Sequence, residues 1–395
     1  MNELWNHACK IIPGGNQLVS KRPDRYCPGK YPSHYYYAHG NLISSVNDKT
    51  YIDFSTMGIG ACILGYGNAD VDAAVIKAIA AGNMSSLNCI EELELAEEML
   101  RINPNHDMVK FARTGGEACK IALTIAQKFA GRTWWAQHGY SGWMLGTPER
   151  SKGVDFYDIE FLDSLTCMPS CVIMEPVRNY PDESIKLMKE VRKWCTDNNV
   201  ILIFDEITSG FRCNIGGYHR IKEVYPDIAI YGKALGNGYP ISAITGKGEI
   251  MEAVEDTFVS STFWSERTGY AAALATIDVM KKQHVPDNLI RIGRLVQDGW
   301  RSLAEINDLD IEVMGIYPLS HFEFKKNHNE LITLFTQEML KRNILATDQF
   351  YSSIAHSNDD IESYLFHVDE VFTMISEGKI KLEGPVRTPG WKRMN

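Results

Sequence analysis

The residues best placed to do chemistry in this 395-residue chain stand directly after short apolar runs. Residues 200–204 end on Asp205 and Glu206, residues 228–231 on Gly232 and Lys233, and residues 171–174 on Glu175 and Pro176. A lysine in a glycine-bordered turn at a strand end is placed to be desolvated, and a neutral amine there is a nucleophile toward a carbonyl. The plainer reading of Lys233 is a surface lysine in a flexible loop. An acid that closes a fully apolar strand is costly unless it meets a cation; a salt bridge or helix cap is the plainer reading of Asp205. Residues 109–112 form another buried run, followed by Thr114-Gly115-Gly116 and a helical stretch over 117–129. A hydroxyl and two glycines at a helix start offer free N–H groups and the positive end of the dipole, which suits a phosphate. Small turns before helices are common, so this feature alone decides little.

These positions need a frame. The runs at 109–112, 171–174, 200–204 and 228–231 alternate with helical stretches, and residues 185–198 carry Ile185, Met188, Val191 and Trp194 at helical spacing. Strand–helix–strand alternation predicts a mostly parallel sheet covered by helices, with ligands bound beyond the carboxyl ends of its strands. The chain after about residue 270 has a different texture. Residues 271–282 read as a connecting helix, 327–342 as a helix, and 360–375 as a helix capped by Ser357 or Asn358 with Ile361, Leu365, Val368, Phe372 and Ile375 on one face. The expected organisation is an N-terminal segment over 1–45, a large α/β domain over 46–270 and a smaller α+β domain over 271–395.

Composition narrows the function classes. With 40 Lys and Arg against 50 Asp and Glu, the chain carries a net charge of −10, a poor match to a phosphodiester backbone. An apolar content of 45% argues against disorder. No run approaches a membrane span, and the first residues lack the pattern of a signal peptide, so a cytoplasmic protein is expected. Nine scattered cysteines, with Cys167 and Cys171 the closest pair, read as reduced thiols in buried positions and predict no metal site.

Taken together, one sheet edge is expected to carry a phosphate turn, a carboxylate and a lysine. Pyridoxal 5′-phosphate needs all three: an anion site for its phosphate, an acid for its ring nitrogen, and an amine for its aldehyde.

Read for motifs, the chain resembles the class III aminotransferases of the fold type I pyridoxal-phosphate enzymes, in the branch of glutamate-1-semialdehyde aminomutase. The likeness runs nearly end to end: Ile11-Ile12-Pro13-Gly14-Gly15, Tyr51-Ile52-Asp53-Phe54, Thr114-Gly115-Gly116-Glu117-Ala118, Gln137-His138-Gly139, Glu175-Pro176-Val177, Phe204-Asp205-Glu206-Ile207-Thr208-Ser209-Gly210, Lys233 with Gly236, Gly238 and Pro240, Ser261-Thr262-Phe263 and Ala355-His356-Ser357. Asp205 precedes Lys233 by 28 residues, which suits the family. The resemblance implies an α/β fold whose large domain has a mostly parallel, seven-stranded-type sheet. It also implies that Lys233 forms the Schiff base and shuttles the proton, that Asp205 binds the pyridine nitrogen, and that Thr114, Gly115 and Gly116 hold the phosphate. Ile207 would cover one ring face, with Gln137, His138 and Glu175 nearby. Thr262 would complete the phosphate site of a second subunit, so a homodimer is expected.

The departures bear on substrate. Gln137 stands where the family has a stacking tyrosine, leaving an amide plane or a neighbour such as Trp134, Trp135 or Tyr140 to cover the ring. Gly116 replaces a threonine, which removes a hydroxyl donor. Lys21 falls near the position of the arginine that reads the substrate carboxylate, and a lysine lacks that bidentate fork. Arg267 either binds an anionic substrate group or pairs with Glu266. The activity implied is transfer of an amino group from an amino acid, L-glutamate first, to a terminal aldehyde or ketone such as a keto sugar of surface-polysaccharide synthesis. The aminomutase reaction is the alternative, and a non-catalytic partner protein the second alternative.

Overall fold

A computed structural model describes residues 2–143 and 153–388. The chain divides into two compact units, residues 69–287 and residues 1–68 together with 288 onward.

The larger unit is built on seven strands: β1 (Met108–Ala112), β2 (Trp135–His138), β3 (Gly153–Asp155), β4 (Cys171–Met174), β5 (Ile201–Asp205), β6 (Ile228–Tyr231) and β7 (Ser242–Gly246). They lie in the order β1-β7-β6-β5-β4-β2-β3. The pairings from β6 through β3 are parallel, and β7 runs antiparallel between β1 and β6. Strands β4, β5 and β6 are buried along their whole length, as near-continuous apolar runs must be when helices cover both faces.

Alternation sends successive side chains to opposite faces. Cys171, Ile173, Ile201, Ile203, Ile228 and Ile230 pack with Ala118, Ile121, Ala122 and Ile125 of the helix Gly115–Ala130. Val172, Met174, Leu202 and Phe204 pack on the other face with Met188, Val191 and Trp194 of the helix Pro181–Asp197. Each such aliphatic side chain contributes roughly 1.5–3 kcal/mol by leaving water. The fold is therefore the α/β, mostly parallel arrangement expected from the sequence.

The smaller unit holds a four-stranded sheet of Tyr35–His39, Leu42–Ser45, Thr50–Phe54 and Ile344–Ala346, and a three-stranded sheet of Ile311–Met314, Leu319–Phe324 and Gln349–Tyr351. Its core is aromatic: the Phe54 ring stacks on Tyr364 at 4.3 Å, and Trp300 Nε1 donates to the Tyr364 hydroxyl at 3.0 Å. The helix Asn358–Ser376 starts on a capping box between Ser357 and Asp360, as its sequence predicts.

Two expected boundaries move. The strand Thr50–Phe54 pairs in parallel with Ile344–Ala346, which draws residues 46–68 into the smaller unit. The helix Arg267–Lys282 packs against the helix Ala69–Ala80 inside the larger unit, so residues 271–282 do not connect the units; the helix Val285–Ile306 spans that junction. Cys9 and Cys167 are exposed, unlike the buried thiols expected. Among the described residues no helix is long and apolar enough to cross a membrane.

Candidate active site

The register of the parallel strands sets the site. Ile173 pairs with Ile203 and Met174 with Phe204, so Glu175 follows β4 beside Asp205 at the end of β5. Asp205 pairs in turn with Ile230 of β6, and Lys233 comes three residues later. Asp205 shares the sheet face of Ile203 and Ile230, the face covered by the helix Gly115–Ala130. Cys119 of that helix donates its thiol to Asp205 Oδ2 at 3.4 Å, and the Ile207 N–H donates to Oδ1 at 3.1 Å. Burial, and then the neighbouring Glu175 carboxylate, push the Asp205 carboxyl up to about 7. Glu175 is itself buried and paired with Arg178 at 3.3 Å.

Lys233 follows Gly232 in the loop after β6 with φ +44°, a left-handed backbone that a residue with a Cβ holds only where its surroundings impose it. Its Nζ donates to the Thr208 hydroxyl at 2.7 Å, and the Thr208 carbonyl accepts from Nε of the fully buried Arg212. Ile207 lies between the two glycine-bearing loops. A Cβ added at Gly115 would fall 2.8 Å from Ile207 Cδ1, and one added at Gly232 would fall 3.0 Å from Ser242 Oγ and 3.5 Å from Ile207 Cγ2. The helix start at Gly115 is thus held against the same strand-end loop that carries Thr208.

The turn before that helix is closed by its own cap. Thr114 Oγ1 accepts from the Glu117 N–H at 3.3 Å, and Glu117 Oε2 accepts from the Thr114 N–H at 2.8 Å and from the Thr114 hydroxyl at 2.9 Å. The Thr114 hydroxyl is spent on Glu117, so what this turn presents to an anion is the first-turn amides of Gly115 and Gly116. A buried carboxylate short of positive charge, a lysine amine and a glycine-lined helix start fit pyridoxal phosphate, whose protonated ring nitrogen, aldehyde and phosphate are their chemical complements.

The model of the family described as Aminotransferase class-III matches residues 28–140 and 169–346. The chain belongs to the class III aminotransferase family. It is a pyridoxal-phosphate-dependent aminotransferase by that membership. It is 28% identical to the 3-aminobutyryl-CoA aminotransferase of Cloacimonas acidaminovorans, over 95% of this chain and 96% of that one. It is 30% identical to the glutamate-1-semialdehyde 2,1-aminomutase of Methanococcoides burtonii, over 92% and 96%. In fold it matches the FumI protein of Sphingopyxis sp. MTA144, solved in its PLP internal aldimine form, with a TM-score of 0.89, 22% identity and coverage of 97% and 98%.

Within this class III aminotransferase, the other expected site residues on the sheet fall at different levels and on different faces of it. Gln137 pairs with Ile173, which pairs with Ile203, so it sits two strands from Asp205 and two residues below it. Those offsets amount to about 10 Å sideways and about 7 Å down. Its amide is also committed at both ends, accepting from Trp135 Nε1 at 3.0 Å and donating to Asp155 Oδ1 at 2.7 Å. Gln137 is thus a link within the sheet, and Trp135, buried and bonded to it, is part of the same link. His138 falls on the opposite face, where its ring packs on Phe156 and Nδ1 meets the Phe156 carbonyl at 3.0 Å. At Tyr140 the backbone N–H meets the acidic edge, donating to Glu175 Oε2 at 3.4 Å.

Arg267 makes a two-point ion pair with Glu91, Nη2 to Oε1 at 2.6 Å and Nε to Oε2 at 3.0 Å, and also donates to the Ala81 and Gly82 carbonyls. That guanidinium holds the Glu91 carboxyl below its usual range. Glu266 pairs instead with Arg113 at 2.9 Å and caps the helix Arg267–Lys282. Arg267 is therefore the partner of Glu91 and not of Glu266. Thr262 is exposed on the short turn Thr262–Ser265, and Lys21 is exposed on the turn Val19–Lys21 of the smaller unit. The sequence reading missed Cys119, Arg178 and Thr208 as site residues; Thr208 was in view three residues after Asp205.

Proposed function

We propose that this chain transfers an amino group from an amino acid, L-glutamate first, to an aldehyde or ketone whose carbonyl stands away from any carboxylate. The observation that carries the reading is the placing of Lys233 and Asp205 at the ends of adjoining buried strands, against the helix that starts at Gly115. When bound, pyridoxal phosphate supplies an aldehyde for primary amines and a ring that accepts electrons. Lys233 would hold the aldehyde carbon, and its amine moves the proton at the substrate carbon that bears nitrogen. Asp205 would keep the ring nitrogen protonated, and that cation favours its carboxylate over the neutral acid. The amides of Gly115 and Gly116 would hold the phosphate, and Ile207 would cover one ring face. Glu175, paired with Arg178, adds negative potential beside Asp205.

The 3-aminobutyryl-CoA relative supports an acceptor other than an α-keto acid, since its name places the amine on the third carbon. Terminal aldehydes and keto sugars are the acceptor classes to test first.

The active assembly in this reading is a homodimer. Thr262 is exposed beside a groove of about 660 Å³ lined by Ile90, Leu93, Phe111, Val259 and Trp264. Phe258 and Leu87, 98% and 83% exposed, add apolar surface on the same unit. A second copy would cover this surface and receive Thr262 at its phosphate.

The 30% identity to an aminomutase favours a second reading, transfer of the amino group within glutamate 1-semialdehyde. Lys21 weighs against it, because a point charge stands where the resemblance has a forked arginine.

The test is the purified holoenzyme, sedimenting as a dimer, mixed with L-glutamate in the absence of acceptor. Loss of the yellow absorbance with one equivalent of 2-oxoglutarate per site is expected. A spectrum unchanged by glutamate, or 5-aminolevulinate formed from the semialdehyde without a donor, would overturn the transfer reading in favour of the aminomutase or another donor.

A further inference from the structure

The segment after β2 carries a polar side chain that the site as described does not use. Ser141 is 4% exposed, and its hydroxyl is buried without a hydrogen-bond partner. A buried hydroxyl left unbonded costs about 1–3 kcal/mol, so native proteins keep few of them. Its two chain neighbours fix where it lies. On one side the Tyr140 N–H donates to Glu175, the acid beside Asp205. On the other, Gly142 sits directly on the helix start: a Cβ there would fall 2.9 Å from Gly116 Cα and 3.5 Å from Gly116 N. Gly142 has φ +85°, so a side chain at this position is excluded by both contact and backbone. Ser141 is therefore flanked in the chain by a residue bonded to the acidic edge and by one packed on the start of the 16-residue helix Gly115–Ala130.

The helix start lacks hydroxyl donors of its own. Thr114 spends its hydroxyl on Glu117, and position 116 is a glycine. A phosphate monoester seated on the Gly115 and Gly116 amides would have two N–H donors and no O–H donor from the turn. We infer that Ser141 is the missing donor, and that its hydroxyl binds the phosphate of the cofactor together with the amides of Gly115 and Gly116. This inference rests on the cofactor placement proposed above. It explains why a hydroxyl is enclosed without a partner at this point in the chain: the partner is the anion. The close approach to the Gly116 Cα that brings Ser141 into place requires a bare Cα at Gly142.

Equilibrium binding of cofactor to the apoprotein tests this without reference to turnover. Wild type and Ser141→Ala are titrated with pyridoxal 5′-phosphate and with pyridoxal, which lacks the phosphate, following absorbance. A hydrogen bond to a charged group predicts a Kd for pyridoxal phosphate raised about 10- to 100-fold in Ser141→Ala, with the Kd for pyridoxal unchanged. The apoprotein Tm should not fall, because the hydroxyl has no bond to lose before the anion arrives. Equal Kd values for pyridoxal phosphate in the two proteins would overturn the inference and leave the cofactor reading intact. Equal weakening toward both ligands, or a lower apoprotein Tm, would overturn it in favour of a structural serine. A wild type that takes up neither ligand would overturn the cofactor placement and the inference with it.

Discussion

Replacing Lys233 by alanine should reduce transamination by about 10⁴-fold or more, because one substitution removes both the amine that holds the cofactor and the base that moves the substrate proton. The fold should survive. Lysine and alanine both carry a Cβ, so the left-handed backbone at φ +44° is no more strained in the variant. The lost contacts include the hydrogen bond to Thr208 from a half-buried amine. Lys233→Arg should be as inactive, since a guanidinium keeps the charge but stays protonated. Single-turnover mixing with L-glutamate measures the effect, and thermal melting confirms that the protein is folded. Either variant turning over within a few-fold of wild type would remove Lys233 from the chemistry.

Asp205→Asn is the second large effect, and it acts on both activity and pH dependence. The neutral amide cannot hold a proton on the ring nitrogen, and loss of one preorganised electrostatic partner costs about 10²–10³-fold in turnover. In the apoprotein the same residue works in the opposite direction. Burial and Glu175 raise the folded-state carboxyl to about 7, above its value in the unfolded chain. The folded protein thus binds this proton more tightly than the unfolded one. The stability it contributes is complete below about pH 4 and is lost as pH rises through about 7. Melting of the apoprotein from pH 4 to 8 should show that decline in wild type and a smaller one in Asp205→Asn. Bound cofactor should abolish the difference, because a cationic ring nitrogen restores the missing charge. Full activity of Asp205→Asn, or identical pH profiles of the two apoproteins, would contradict the role given to this carboxylate.

Much of this site was legible in the residues, and the parts that were not share a physical cause. Asp205 and Lys233 could be read because a charge after a run such as Ile201-Leu202-Ile203-Phe204 is costly wherever the run is buried, and a parallel sheet buries it. The helix starts at Thr114 and Ser357 are local capping signals, and both formed as boxes. Where Gln137 and His138 would lie could not be read, because a motif gives position along the chain, while pairing sets the face of the strand and the level in the sheet. Strand β2 places Gln137 below the edge and turns His138 to the far side. Arg267 could not be read because its partner Glu91 is 176 residues away in sequence. Strand β7 carries no period of its own that marks it as antiparallel. Its direction is fixed by pairing with β1 and β6 after both are in place. The boundary near residue 68 is likewise set by a pairing of Thr50–Phe54 with Ile344–Ala346, far apart in the chain.

Trapping of the cofactor on the protein, followed by peptide mass mapping, tests the central claim most directly. Borohydride treatment of the yellow holoenzyme fixes the cofactor to the amine that holds it. The account predicts one phosphopyridoxyl group per chain, on the peptide that contains Lys233. A group found on any other lysine, or no group on a protein saturated with cofactor, would contradict it.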